Sequence, residues 1–167
     1  MIKALKSKYF WTHAIIVLMA VFYVSLCWAG ELPNPNITIG KSRDLTLEVI
    51  CTTKWGKDHR AVTDDMKNQV YVAYGLTNHV GECAQSPRGC EVDHLISREN
   101  GGADAVENLW PQHYGGACGA EKKDQLENVI HKLICSGKLA IQQGQDALSK
   151  NWIDSYAKYV DSKGCGL

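Results

Sequence analysis

Cys90-Glu-Val-Asp-His-Leu-Ile-Ser-Arg-Glu-Asn-Gly-Gly-Ala-Asp-Ala-Val-Glu-Asn-Leu-Trp-Pro-Gln112 is the stretch whose reading decides the fold. Short apolar runs occupy 90–96 and 106–111, and the segment around them is rich in Gly, Asn and Asp. The pattern predicts two short strands joined by the loop Ser97 to Ala105, with Gly101-Gly102 marking its turn. Trp110-Pro111 reads as core packing.

Outward from this stretch the period changes from strand to helix. Upstream, Thr63 is a good N-cap, and Asp64 and Asp65 suit the positive end of a helix dipole. Met66, Val70, Ala73 and Tyr74 then recur at helical spacing, and Gly75 can end the helix. Downstream, Leu126, Val129, Ile130, Leu133 and Ile134 form one apolar stripe, which predicts a helix from Ala120 to Cys135 closed by Gly137. A third helix is predicted from about Gln142 to Val160, with Leu148, Trp152, Tyr156, Tyr159 and Val160 as its stripe. Residues 31–40 hold two prolines and a glycine and read as an extended leader; Asn36-Ile37-Thr38 matches a glycosylation acceptor by spacing alone.

The first residues follow the order of an export signal. Lys3, Lys6 and Lys8 precede an apolar run from Ala14 to Leu26, and small residues follow at Ala29 and Gly30. The rival is a retained anchor, since Tyr9 to Ala29 is long enough to span a bilayer. The absence of a second apolar span favours cleavage. Leu26 in front of Cys27 argues against lipid attachment there. The expected organisation is therefore a signal at 1–29, an extended leader at 30–44 and one domain at 45–167. It implies a secreted or periplasmic protein with no stable membrane association once the signal is removed.

Lys and Arg number 18 in the whole chain, equal to Asp and Glu. Loss of the three signal lysines leaves fifteen basic against eighteen acidic residues, a net charge of −3. This counts against binding of a polyanion by bulk attraction, because phosphate affinity comes mostly from Lys and Arg. A local strip is still available at Lys54, Lys57 and Arg60, and Arg88 and Arg98 flank the central stretch. Beyond Cys27, six cysteines remain: Cys51, Cys83, Cys90, Cys118, Cys135 and Cys165. An even number in an exported chain predicts disulfides, and the absence of a C-x-x-C pair argues against a zinc ribbon. Six cysteines allow fifteen connectivities, among which sequence alone does not choose. Cys83–Cys90 is the preferred local pair, because the two bracket a Gly- and Pro-containing turn; Cys51–Cys135 with Cys118–Cys165 is the arrangement taken for the rest.

Asp93-His94, Gly101-Gly102, Asn108-Leu109 and the helix from Ala120 fall in an order that closely resembles the HNH, or ββα-metal, nuclease motif. The chain is also similar to small exported HNH-like proteins through Cys51-Thr-Thr-Lys-Trp-Gly56, Val62-Thr63 with Met66-Lys67, Asn108-Leu-Trp-Pro-Gln112, Lys123-Asp124 with Leu126-Glu127, and Cys135-Ser-Gly137. Together these cover roughly residues 45–160. The resemblance implies an α+β fold, with a ββα-metal motif flanked by helices and stapled by disulfides. It implies metal-dependent endonucleolytic cleavage of DNA, with RNA as the alternative substrate, and little sequence preference.

Phosphodiester hydrolysis needs an activated water and neutralisation of charge at the phosphate. A neutral histidine can take the proton near pH 7, and a divalent cation can stabilise the phosphoryl and leaving oxygens. By resemblance, His94 is the general base, Asp93 a ligand to Mg²⁺ (with Mn²⁺ or Zn²⁺ as alternatives), and Asn108 holds the histidine loop. Counting back from Lys123 puts the expected helical ligand at Ala120, which cannot bind metal. Asp124, on the same face, is nominated instead, with Glu121, Glu127 and His131 as alternatives. Arg98 and Lys123 are the expected phosphate contacts. Two rivals stand beside the enzyme: a degenerate domain that binds nucleic acid without cutting, favoured by Ala120 and the net charge, and a disulfide-stapled extracellular interaction module.

Overall fold

The structure is a computed structural model, and it describes residues 32–76 and 89–166. The expected signal at 1–29, Arg88 and Cys83 lie outside the described residues. Helix α1 (Leu47–Thr52) is a short helix that the sequence reading did not anticipate; Thr46 caps it by accepting from the Val49 amide, and it buries Ile50 completely. Helix α2 (Asp64–Ala73) begins as expected, with the Thr63 hydroxyl accepting from the Met66 amide.

The central stretch forms strands β1 (Cys90–His94) and β2 (Leu109–His113), paired antiparallel with Asp93 opposite Trp110 and His94 opposite Leu109. Alternation along a strand sends successive side chains to opposite faces. Glu91, Asp93, Trp110 and Gln112 therefore share one face, while Val92, His94, Leu109 and Pro111 share the other. Each face has its own core. Trp110 packs with Leu126, Ile130, Trp152 and Tyr156, and Val92 and Leu109 pack with Val70 and Tyr71 of α2.

Helix α3 (Ala120–Cys135) follows the hairpin, and Leu126, Ile130 and Ile134 are fully buried along its stripe. The expected third helix is two: α4 (Ile141–Ser149) and α5 (Trp152–Tyr159). Asn151 breaks them apart. Its backbone is extended, and its side-chain oxygen accepts from the Ile153 and Asp154 amides, an N-cap that starts a new helix. The stripe Leu148, Trp152 and Tyr156 is buried nonetheless. Gly144 lets α4 approach α3 closely, since a Cβ there would lie 2.5 Å from Ile134 Cδ1.

Residues 34–43 are not a detached leader. The buried Thr38 hydroxyl donates to the Leu109 carbonyl, Ser42 bridges Gly102, and the Arg43 side chain donates to the Gly102 and Arg98 carbonyls. Hydrogen-bonding demand explains this strap: the strand-connecting loop exposes carbonyls that need donors. Two disulfides join the frame, Cys51–Cys135 between α1 and the end of α3, and Cys118–Cys165 between the start of α3 and the C-terminal tail. Both pairings match the expectation. Cys90 is also disulfide-bonded; its expected partner, Cys83, is outside the described residues. Among the described residues no helix is long and apolar enough to cross a membrane.

Candidate active site

The loop from Leu95 to Asn108 is held by one side chain. Asn108 is fully buried; its Oδ1 accepts from the Ile96 amide at 3.0 Å, and its Nδ2 donates to the carbonyls of Ile96 (2.9 Å) and Ala103 (3.0 Å). Gly102 completes the turn, because a Cβ there would fall 1.7 Å from the Ile96 carbonyl oxygen. This clamp closes the loop over the end of β1 and brings Asp104 back to His94.

His94 is the last residue of β1 and is only 5 % exposed. It is a buried ring bordering a cleft. Its Nε2 lies 2.7 Å from Asp104 Oδ1. Asp104 Oδ2 accepts from the Ala61 amide at 2.8 Å, and Arg98 Nε stands 3.3 Å from Oδ1. Burial alone would raise the Asp104 carboxyl, but the Ala61 amide, His94 and Arg98 together hold it below the usual carboxylate range. An ionised carboxylate can only accept, so Nε2 carries the proton and Nδ1 keeps its lone pair. Among the described residues Nδ1 has no hydrogen-bond partner. Burial lowers the His94 pKa, against the opposing pull of Asp104 and Asp93. The ring is therefore neutral at pH 7.

Asp93 turns the other way. Its Oδ2 accepts from Lys123 Nζ at 2.8 Å. Lys123 also donates to the His94 carbonyl at 2.6 Å and to Glu127. The lysine is 0 % exposed and its three donors are all used. Its expected role as a phosphate contact is corrected here: it is an internal cation on the buried stripe of α3, four residues from Glu127. Burial alone would push the ammonium down; Asp93 and Glu127 more than reverse this and hold it above the usual lysine range. Burial pushes the Glu127 carboxyl up, against Lys123.

Asp124 is an exposed residue, yet partial desolvation of its carboxyl and then the Asp93 charge raise its pKa. Glu91 is raised in the same way, by desolvation first and then by Asp93. These carboxylates carry excess negative charge, which a cation would relieve. Among the described residues, no three His, Cys, Asp or Glu side chains converge to hold a metal ion. Carboxylate oxygens such as those of Asp93 and Asp124 are the donor type that Mg²⁺ or Mn²⁺ takes. The alternative ligand His131 is engaged elsewhere, with Nδ1 at 2.9 Å from the Glu99 carbonyl.

An open cleft of about 480 Å³ borders both networks, lined by Trp55, Asp58, Arg60, Asp93, His94, Arg98, Glu99 and Glu127. Arg98, an expected phosphate contact, is on its wall but ion-paired with Asp58 and Asp104. Arg60 donates to the Val92 carbonyl at 3.1 Å and is otherwise exposed. A second hollow of about 460 Å³ lies at α4 and α5, beside Lys150, Asp154 and Lys158, and holds none of the expected site residues. Sequence reasoning missed Asp104, Asp58 and Trp55. Asp104 had one signal, a carboxylate four residues before Asn108 within the small-residue run from Gly101 to Ala105. Compared with protein-family models, curated proteins and solved structures, the chain finds no match, and the side chains themselves must carry a functional reading.

Proposed function

We propose that the protein is a metal-dependent endonuclease of the HNH, ββα-metal type, exported to an oxidising compartment, that hydrolyses phosphodiester bonds of DNA, with RNA as the second substrate to test. The observation that carries this reading is the His94–Asp104 pair beside an open cleft that also admits Asp93. His94 Nδ1, neutral and unpartnered, accepts a proton from the attacking water. Asp104 fixes the tautomer and stabilises the imidazolium that forms, a division of labour that positioned His–carboxylate pairs serve in general. Asn108 keeps the loop closed so that the pair stays aligned. Arg60 faces the cleft with a cation suited to a phosphate oxygen. Asp93 would hold a divalent cation, with Asp124 as the further carboxylate, and that ion supplies charge neutralisation at the phosphoryl and leaving oxygens.

One observation favours a different reading. The Lys123 ammonium already occupies an oxygen of Asp93, as it would in a domain that binds nucleic acid without cutting it. The same experiment separates the two. Oxidised protein is incubated with supercoiled plasmid and with RNA in Mg²⁺, Mn²⁺, Zn²⁺ or EDTA. Nicking is expected in Mg²⁺ or Mn²⁺ and not in EDTA. His94→Ala should reduce it by roughly 10²- to 10⁴-fold while circular dichroism stays unchanged. Intact substrate in every metal, or full activity in folded His94→Ala, sinks the enzymatic reading.

A further inference from the structure

The turn that follows α1 places an aromatic ring and the Arg60 cation in the lining of the same cleft, with two lysines beside that ring in sequence. Trp55 borders the cleft alongside Asp93 and His94. Its ring is fixed at two points: Nε1 donates to the Ile50 carbonyl at 2.7 Å, and the Arg43 guanidinium stands 5.5 Å from the ring centroid. Lys54 and Lys57 flank it, both exposed, and neither takes part in an ion pair among the described residues. Arg60, also exposed, lines the cleft and among the described residues has only the Val92 carbonyl as partner. The contrast with the other cleft cation is direct, since Arg98 has its charge matched by Asp58 and Asp104.

We propose that Trp55 is a stacking platform for an unpaired base, and that Lys54, Lys57 and Arg60 follow the adjoining phosphates, so that the preferred ligand is single-stranded nucleic acid. This deepens the nuclease reading and rests on it for the choice of a nucleic acid. A base inside a duplex has both faces covered by its neighbours, and only an unpaired or extruded base can offer one to a fixed indole. A ring already immobilised loses little rotamer freedom on binding, so the platform is organised before the ligand arrives. Three cations in a net acidic domain are too few for tight duplex binding by charge alone, which leaves stacking to supply the preference.

The test is binding in a non-cutting background: the full-length His94→Ala protein in Ca²⁺, with a fluorescein-labelled 12-nucleotide strand and the duplex of the same sequence, read by anisotropy. Trp55→Ala should weaken the single strand by roughly 5- to 150-fold, the range typical of a lost stacking aromatic, and change duplex affinity by less than about twofold. Trp55→Phe, which keeps a π face, should recover most of the loss and guards against a folding defect in the alanine variant. Lys54→Ala with Lys57→Ala should lower the slope of log affinity against log salt by about 1.4 on the single strand, at about 0.7 per phosphate. Equal loss on strand and duplex, no loss on either, or no binding to either ligand overturns the proposal. The two readings fail separately. A wild-type protein that never nicks but shows the Trp55-dependent preference loses only the enzymatic reading, whereas one that nicks with Trp55→Ala bound like its parent loses only this inference.

Discussion

Asp93 and His94 are neighbours in the chain, yet they belong to networks of opposite character. Asp93 faces α3 and closes on Lys123 and Glu127 around an ammonium with no exposure to water. His94 faces the strand-connecting loop and closes on Asp104, with Arg98 and Asp58 behind it at the wall of a cleft. The period of two along β1 separates them. The inner network has every ammonium donor satisfied, and what it can still offer a ligand is the second oxygen of Asp93, at the cleft. The outer one leaves the His94 Nδ1 without a partner among the described residues. One strand end thus serves both to anchor a helix and to present a base, and substitutions should divide along the same line, into losses of stability and losses of chemistry.

Lys123→Met should break the inner network with the largest effect. It leaves Asp93 and Glu127 facing each other without a cation, and removing one partner of a buried pair costs about 3–5 kcal/mol. Urea unfolding of the oxidised protein measures it. A loss below about 1 kcal/mol would mean that the carboxylates relax into water and that the network is not an anchor. Removal of the Cys51–Cys135 bridge by a double alanine substitution should cost somewhat less, about 2–4 kcal/mol. That bridge ties α1 to the far end of α3 and acts on the same side of the hairpin. Nicking rates per folded molecule should be nearly unchanged in the bridge variant. A rate collapse at constant fold would show that the cleft depends on α1 being pinned.

Much of this frame was legible because periodicity is a local property. Strand alternation at 90–96, the Thr63 cap and the stripe from Leu126 to Ile134 each follow from residues close in sequence. The Asn108 clamp was legible through the motif it sits in. The break at Asn151 was not, since Leu148, Trp152 and Tyr156 keep one helical stripe across it, and only the cap competes with that pattern. Lys123 was misread as a surface cation, although its spacing to Ala120, Leu126 and Glu127 places it on the buried side of α3. A lysine inside a helix stripe is rare unless paired, and its partner Asp93 lies thirty residues away. Asp104 and Asp58 were not legible because their ion-pair partners, His94 and Arg98, reach them only in the tertiary fold; Trp55 stood in the stretch Cys51-Thr-Thr-Lys-Trp-Gly56, but its place at the cleft did not show in it.

Asp104→Asn should sharpen the comparison from the outer side. The amide can still reach Nε2 but no longer dictates which nitrogen holds the proton, and it cannot stabilise an imidazolium. A loss of roughly 10- to 100-fold in nicking rate is expected, the range for residues that orient a functional histidine, with stability changed little. The pH profile carries the sign. Burial already lowers the His94 pKa, so the wild-type rate should rise with pH at values below the ordinary histidine range and level off by neutrality. Asp104 opposes that shift, and its removal should move the rising limb to lower pH. A limb that stays fixed while the rate drops would assign Asp104 a structural role alone.

The smallest expected effect distinguishes the two arginines of the cleft. Arg60 is exposed and unneutralised, so Arg60→Ala should remove about one phosphate contact and lower the salt slope by about 0.7 on single strands or about 0.9 on duplex. Arg98 is 13 % exposed in its side chain and sits between Asp58 and Asp104. A phosphate would have to displace one of those carboxylates to reach it, exchanging one anion for another with little net release of counterions. Arg98→Ala should therefore lower the slope by less than half of the Arg60 value, while loosening the loop that holds Asp104. Affinities measured across a range of salt concentrations in the non-cutting His94→Ala background decide between them. An equal drop for both variants would mean that Arg98 leaves Asp58 when the ligand binds, and that the outer network opens during use while the inner one stays shut.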